Sequence, residues 1–136
     1  MFKSIQLRGT VFAGLAVVLG AFGAHALKAV LPLSNLATFE TGVKYQFLHA
    51  LALIALSLSL ANAKKYSPSE QAAKWMNRGA MFFTIGIILF SGSLYLLAIR
   101  PILPFTLGAW VGPITPLGGL FFILGWTSWS IAILRG

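Results

Sequence analysis

Four apolar stretches of roughly bilayer length, each closed off by basic residues, account for most of the chain. The first runs from about Gly9 to Leu27, after Lys3 and Arg8 and before Lys28. The second is continuously apolar from Phe47 to Ala63, and its span is drawn from Lys44 to Ala63. The third lies between Arg78 and Arg100, from Gly79 to Ile99, and the fourth runs from Pro116 to Leu134, ahead of Arg135. A helix rising 1.5 Å per residue crosses the hydrocarbon with about 20 apolar residues, so each stretch predicts a transmembrane helix. The pattern implies an all-α integral membrane four-helix bundle, one domain over residues 1–136.

Local signals place the helix starts. Ser34 is the expected N-cap of a helix that leads through Glu40 and Lys44, an i,i+4 pair of favourable order, into the second span. Thr115 is the expected N-cap of the fourth helix, with Pro116 at the first helical position, where its missing N–H is harmless. The segment from Arg100 to Pro116 holds Pro101, Pro104, Pro113 and Trp110 and suits an irregular connection. The N-terminal stretch also imitates a secretory signal, with Ala24-His25-Ala26 as an A-x-A site, but its apolar length matches a full span.

Composition agrees with this picture. Of 136 residues, 58% are hydrophobic and 9% charged, against about a quarter charged in soluble domains, which excludes a water-soluble core. The net charge of +8 sets ten Lys and Arg against Glu40 and Glu70. These basic residues flank spans and build no continuous face, which argues against nucleic acid and for membrane lipid as the surroundings. Lys3, Arg8, Lys64, Lys65, Lys74, Arg78 and Arg135 fall on one side, and Lys28, Lys44 and Arg100 on the other. That asymmetry predicts a multi-pass protein of the cytoplasmic (inner) membrane with both termini cytoplasmic. Trp75 and Trp129 then fall near the cytoplasmic interface. The absence of cysteine removes thiolate chemistry, disulfides and Fe–S clusters.

Polar groups inside spans are costly and are therefore site candidates. Counting along alternating helices puts His25, Tyr45, Gln46, His49, Ser91, Ser93 and Tyr95 in one outer layer. On the helical wheel Thr38, Gly42, Tyr45, Gln46, His49 and Leu56 share a face, opposite Glu40 and Lys44. Two histidines at one depth invite either interhelical hydrogen bonding or a ligand such as a lipid, a quinone or a bis-histidine haem. A metal centre would need Glu40 beside them, and the wheel turns it away; no metal or cofactor is expected. Gly20, Gly23, Gly92, Gly118 and Gly119 are the expected positions of close helix packing, with Ala16, Ala24 and Gly86. No phosphate loop, nucleophile elbow or carboxylate pair supports a catalytic residue.

The segments GAFGAHALK (Gly20 to Lys28), FETGVKYQFLHALAL (Phe39 to Leu53), FSGSLY (Phe90 to Tyr95) and GPITPLGG (Gly112 to Gly119) resemble the small YwdK and YgdD family of bacterial inner-membrane proteins. That family is a domain-of-unknown-function group, so the resemblance implies a four-helix membrane protein and supplies no activity. The expected role is a non-enzymatic packing, assembly or partner-binding unit, alone, as a homo-oligomer or with another membrane protein. The alternative is a ligand-binding or transport protein using the layer around the two histidines.

Overall fold

The computed structural model of the chain describes residues 2–65 and 69–135, and of residues 63–65 the backbone only. Helix α1 (Phe2–His25) is followed by a 3₁₀ turn at Leu27–Ala29 and by α2 (Leu33–Lys65). Then come α3 (Glu70–Gly86), a π turn (Ile87–Ser91), α4 (Gly92–Ile99), a 3₁₀ turn at Arg100–Ile102 and α5 (Val111–Leu134). Four helices are long and apolar enough to cross a membrane: Phe2–Ala29, Leu33–Asn62, Glu70–Ile102 and Val111–Leu134. The third therefore contains α3, the π turn and α4 as one span.

Small, evenly spaced residues let the helices approach. Helix α1 packs on α2 and α5 on α3 and the π turn, while α2 joins the two pairs through α3, the π turn and α4. One core unites all four spans, with Ile5 from α1, Leu53, Leu56 and Leu60 from α2, Phe83 and Ile87 from the third span and Phe122 from α5. A second cluster, with Leu27, Leu31, Leu36, Phe39 and Ala98, closes the other end. Large apolar side chains such as Leu7, Val17, Val18, Phe22 and Ile123 stay on the outside, as expected where the solvent is hydrocarbon.

Two helix starts differ from the sequence expectation. Helix α2 begins at Leu33, and the carbonyl of Pro32 accepts the Leu36 N–H at 3.0 Å. Ser34 consequently lies inside the first turn, with its hydroxyl on the side chain of Asn35 at 3.4 Å, and does not cap the helix. Proline fixes the φ that a helix start requires, so Pro32 sets the boundary that Ser34 was expected to set. Helix α5 begins at Val111, and Pro116 lies inside it. Buried Val111 anchors the start, and its N–H reaches the Gly108 carbonyl at 3.3 Å. Thr115 is likewise interior and bonds across to another helix. Spanning helices tolerate an interior proline because neighbours satisfy the polar groups it frees.

The charged ends also differ in detail. Glu40 and Lys44 are both exposed, and among the described residues the ion pair is Lys74–Glu70 at 2.7 Å. A true N-cap appears at Ser69, whose hydroxyl oxygen accepts the Ala72 N–H at 3.1 Å and whose O–H donates to the Arg135 carbonyl at 2.6 Å. Arg135 also donates to Gln71 at 2.7 Å, so the end of α5 is tied to the start of α3. Trp75 carries the Arg78 guanidinium over its ring at 4.8 Å. The side chains of Lys64 and Lys65 and the terminal Gly136 lie outside the described residues.

Candidate functional site

Helix α2 presents Gly42, Gln46, His49, Leu53, Leu56 and Leu60 at steps of three and four residues, and all are buried. This stripe is the wheel face read from the sequence, with Tyr45 and Thr38 at its margins, only partly covered. Gln46 and His49 are 4% and 5% exposed, so their polar atoms must be satisfied within the protein. The Gln46 amide spans three helices: its Nε2 donates to the Phe12 carbonyl on α1 at 2.9 Å, and its Oε1 accepts the Tyr95 hydroxyl of α4 at 2.8 Å. Ser91, at the end of the π turn, donates to the Gly42 carbonyl at 2.7 Å. Ser93 donates to the Phe90 carbonyl at 2.9 Å and, with its one proton used there, accepts the Thr115 hydroxyl of α5 at 2.7 Å.

His49 has both ring nitrogens engaged. Trp126 Nε1–H lies 3.2 Å from His49 Nε2, and Nδ1 is 2.8 Å from the Tyr45 carbonyl. An indole N–H only donates, so Nε2 accepts and the proton belongs on Nδ1, which donates to the carbonyl. The ring lies parallel to Phe122 at a 3.5 Å centroid distance and 8°. This is a neutral imidazole locked in one tautomer by α5 and by its own helix. No buried side-chain nitrogen or oxygen among the described residues lacks a partner.

Glycines of α3 and α5 shape the wall behind the imidazole. A Cβ at Gly86 would sit 2.5 Å from the Phe122 ring, and one at Gly125 2.5 Å from Phe83. At Gly118 it would meet the backbone of Phe90, 2.7 Å from Cα, inside the π turn. Each aromatic thus lies in a notch made by a glycine of the facing helix. Of the other packing glycines expected, Gly23 takes Phe39 at 3.0 Å, Gly20 makes ordinary contact with Val43, Gly119 touches only the Phe90 ring at 3.8 Å, and Gly92 has open space.

The structure does not bring the two histidines together. Gln46 is level with Phe12, and His25 lies thirteen residues further along α1, about 20 Å at 1.5 Å per residue. His25 is exposed in the last turn of α1. One iron or one metal cannot be shared by this pair, and no group of three or more His, Asp or Glu converges among the described residues. The expectation of a single outer layer fails because the second span, drawn from Lys44, reaches back to Leu33, which puts Tyr45, Gln46 and His49 near the middle of a 33-residue helix. Tyr95, Gln46, Ser91, Ser93 and His49 do form one connected region. Trp126, Phe122, Thr115 and the Phe12 carbonyl belong to it and were missed; a tryptophan within an apolar span, away from the interface, was the available signal.

Beside the imidazole a groove of about 650 Å³ runs along α5, walled by Tyr45, Phe90, Phe122, Ile123 and Trp126, with Pro116 and Gly119 at its rim. A protein-family model described as a protein of unknown function (DUF423) matches residues 19–119. The UPF0382 membrane protein YwdK of Bacillus subtilis is 41% identical over 133 residues, covering 98% of each chain.

The chain belongs to this family.

A UPF0382 membrane protein of Haemophilus influenzae is 38% identical, covering 82% of this chain and 78% of its own length. The UPF0382 inner membrane protein YgdD of Escherichia coli is 34% identical over 88% of this chain and 80% of its own. No solved structure matches. With four spans and these relatives, this UPF0382 chain is a multi-pass protein of the bacterial inner membrane. The matched region begins near the end of α1 and ends in α5, so it contains Gln46, His49, Ser91, Ser93, Tyr95 and Thr115, while Phe12, Phe122 and Trp126 lie outside it.

Proposed function

We propose that this protein is a non-enzymatic packing or assembly unit of the inner membrane, with both termini cytoplasmic, whose intramembrane polar residues fix the register of its own helices. The observation that carries the reading is the internal pairing of the buried polar side chains Gln46, His49, Ser91 and Ser93. Tyr95, Gln46 and Phe12 link α4, α2 and α1, and His49 with Trp126 links α2 to α5. A group that binds or activates a substrate needs a free donor or acceptor, and His49 has neither left. His49→Gln tests this. The variant loses the stack on Phe122, worth about 0.5–1.5 kcal/mol, and weakens a membrane hydrogen bond averaging about 0.6 kcal/mol. It should unfold earlier by about 1–2 kcal/mol, and the native mass of the detergent-solubilised protein should show the same bound species as the parent. Loss of a specific bound species with no loss of stability would defeat the proposal.

One observation favours a second reading, a ligand-binding protein of the bilayer. The Tyr45 ring lines the groove with Phe90 and Phe122, and no hydrogen bond is made by its hydroxyl among the described residues. A quinone or lipid carbonyl in the groove would accept that O–H. Under this reading Tyr45→Phe removes a co-purifying lipid-soluble molecule and leaves thermal stability unchanged; under the first it changes neither.

A further inference from the structure

Among the described residues Arg8 is a guanidinium without an anion. It sits two turns inside α1, part-buried, with Nη1 donating to Thr84 Oγ1 of α3 at 3.1 Å and Nε donating to the Ser4 carbonyl at 3.4 Å. Both acceptors are neutral. Arginine stays charged in any protein environment, and a charge in a membrane span is held by an opposite charge or by carbonyl groups. The chain has only two acidic side chains to offer. Glu70 is taken by Lys74, and Glu40 is exposed early in α2, at the opposite end of the bundle from the α1 start.

The geometry also says from which side an anion arrives. Bonding to Ser4, one turn back along α1, turns the guanidinium towards the end of the bundle where Lys74, Arg78 and Arg135 lie, the level of lipid headgroups. Asn77 lies seven residues before Thr84, two turns nearer that end and on the same face of α3. Ile5, three residues before Arg8, is buried in the core that holds Met76 and Ala80. The crossing therefore sets a guanidinium held by two hydrogen bonds beside an apolar core.

We propose that the Arg8–Thr84 crossing between α1 and α3 is a binding site for the phosphodiester of an anionic phospholipid, whose acyl chains lie along the apolar face of α1. A planar guanidinium pairs with two phosphate oxygens at once, and basic pockets between spans on the positive side of a membrane protein select anionic headgroups. The exposed apolar residues Leu7 and Val11 flank Arg8 on α1 and suit the chains.

Native mass spectrometry of the full chain in detergent tests the site, with dioleoyl phosphatidylglycerol, dioleoyl phosphatidylcholine and inorganic phosphate as probes. Phosphatidylglycerol occupancy should fall about fivefold in Arg8→Gln, and phosphatidylcholine occupancy should not change. Arg8→Lys should fall between, since it keeps charge and loses the fork. Lys28→Gln, at the other end, should leave occupancy as it was. Equal phosphatidylglycerol occupancy in the parent and Arg8→Gln overturns the proposal, as does an equal loss in Lys28→Gln. Displacement of the lipid by inorganic phosphate at matched concentration overturns the lipid as the source of the phosphate. Should Arg8→Gln not fold, the parent decides: an increase of about tenfold in ammonium acetate should strip phosphatidylglycerol and spare phosphatidylcholine, and loss of both alike refutes the site.

Discussion

Replacing Gly118 with alanine adds one methyl group where α5 crosses the π turn. The new carbon would lie 2.7 Å from Phe90 Cα and 2.8 Å from its Cβ. Carbon atoms rest about 3.5–4.0 Å apart, so the two elements must separate by roughly 1 Å. No rotamer change relieves this, because the opposing atoms belong to backbone and to the first carbon of a side chain. Overpacking of that size costs about 1–3 kcal/mol, partly offset by the gain of up to about 1 kcal/mol when alanine replaces glycine in a helix. The neighbouring Gly119 provides the control. There the added carbon stands 3.8 Å from the Phe90 ring, an ordinary contact, so Gly119→Ala keeps the helix gain and pays no steric penalty.

The two variants differ by one position in sequence and should differ by about 2 kcal/mol in stability, with Gly118→Ala the less stable. Thermal unfolding in a fixed detergent, followed by tryptophan fluorescence, reads the difference, since Trp126, packed on Phe83, lies about two turns along α5 from both positions. Identical unfolding midpoints for Gly118→Ala and Gly119→Ala would refute the packing of α5 against the π turn.

Two further outcomes are expected. Reporter fusions at Gly136 and near Ser69 should read cytoplasmic, and fusions near Ser34 and Ile102 external; an external C-terminus would refute the orientation drawn from basic residues. Ser69→Ala should lower stability by about 1 kcal/mol through loss of the α3 cap, together with the tie to Arg135, and unchanged unfolding would show that this cap contributes nothing.

The spans were legible because a bilayer imposes one strong rule, and Gly79 to Ile99 or Gly9 to Leu27 obey it without exception. The wheel of α2 was legible for the same reason: a helix has a fixed period, so Gly42, Gln46, His49 and Leu56 could be put on one face before any neighbour was known. Depth was less legible. The stretch from Leu33 to Lys44 is helical but carries Ser34, Asn35, Glu40 and Lys44, so hydropathy draws the span about three turns after the helix starts. The error moved His49 outward to the level of His25, although one is central and the other terminal. Heptad spacing of Gly79 with Gly86 and of Gly118 with Gly125, offset by Phe83, Phe90 and Phe122, was present in the chain and would have separated the notched glycines from Gly92 and Gly119.

The polar region was harder to read for a chemical reason. Four of its side-chain bonds end on main-chain carbonyls, those of Phe12, Gly42, Tyr45 and Phe90, and every residue owns such a carbonyl. A sequence can announce a donor like Gln46, but it cannot announce which turn of a neighbouring helix will offer the acceptor. Once the helices are placed, the same fact limits what the region does. Main-chain acceptors are held by the helices themselves, so Gln46 and Ser91 report the relative height of α1, α2 and the third span, while the carbonyl partner of His49 lies on its own helix. A slide of one residue along α1 would take the Phe12 carbonyl about 1.5 Å away and turn it by about 100°, breaking the Gln46 bond outright. Under the proposed packing role, register more than affinity is what these buried groups specify, and the aromatic notches of α3 and α5 set the same register from the other side of His49.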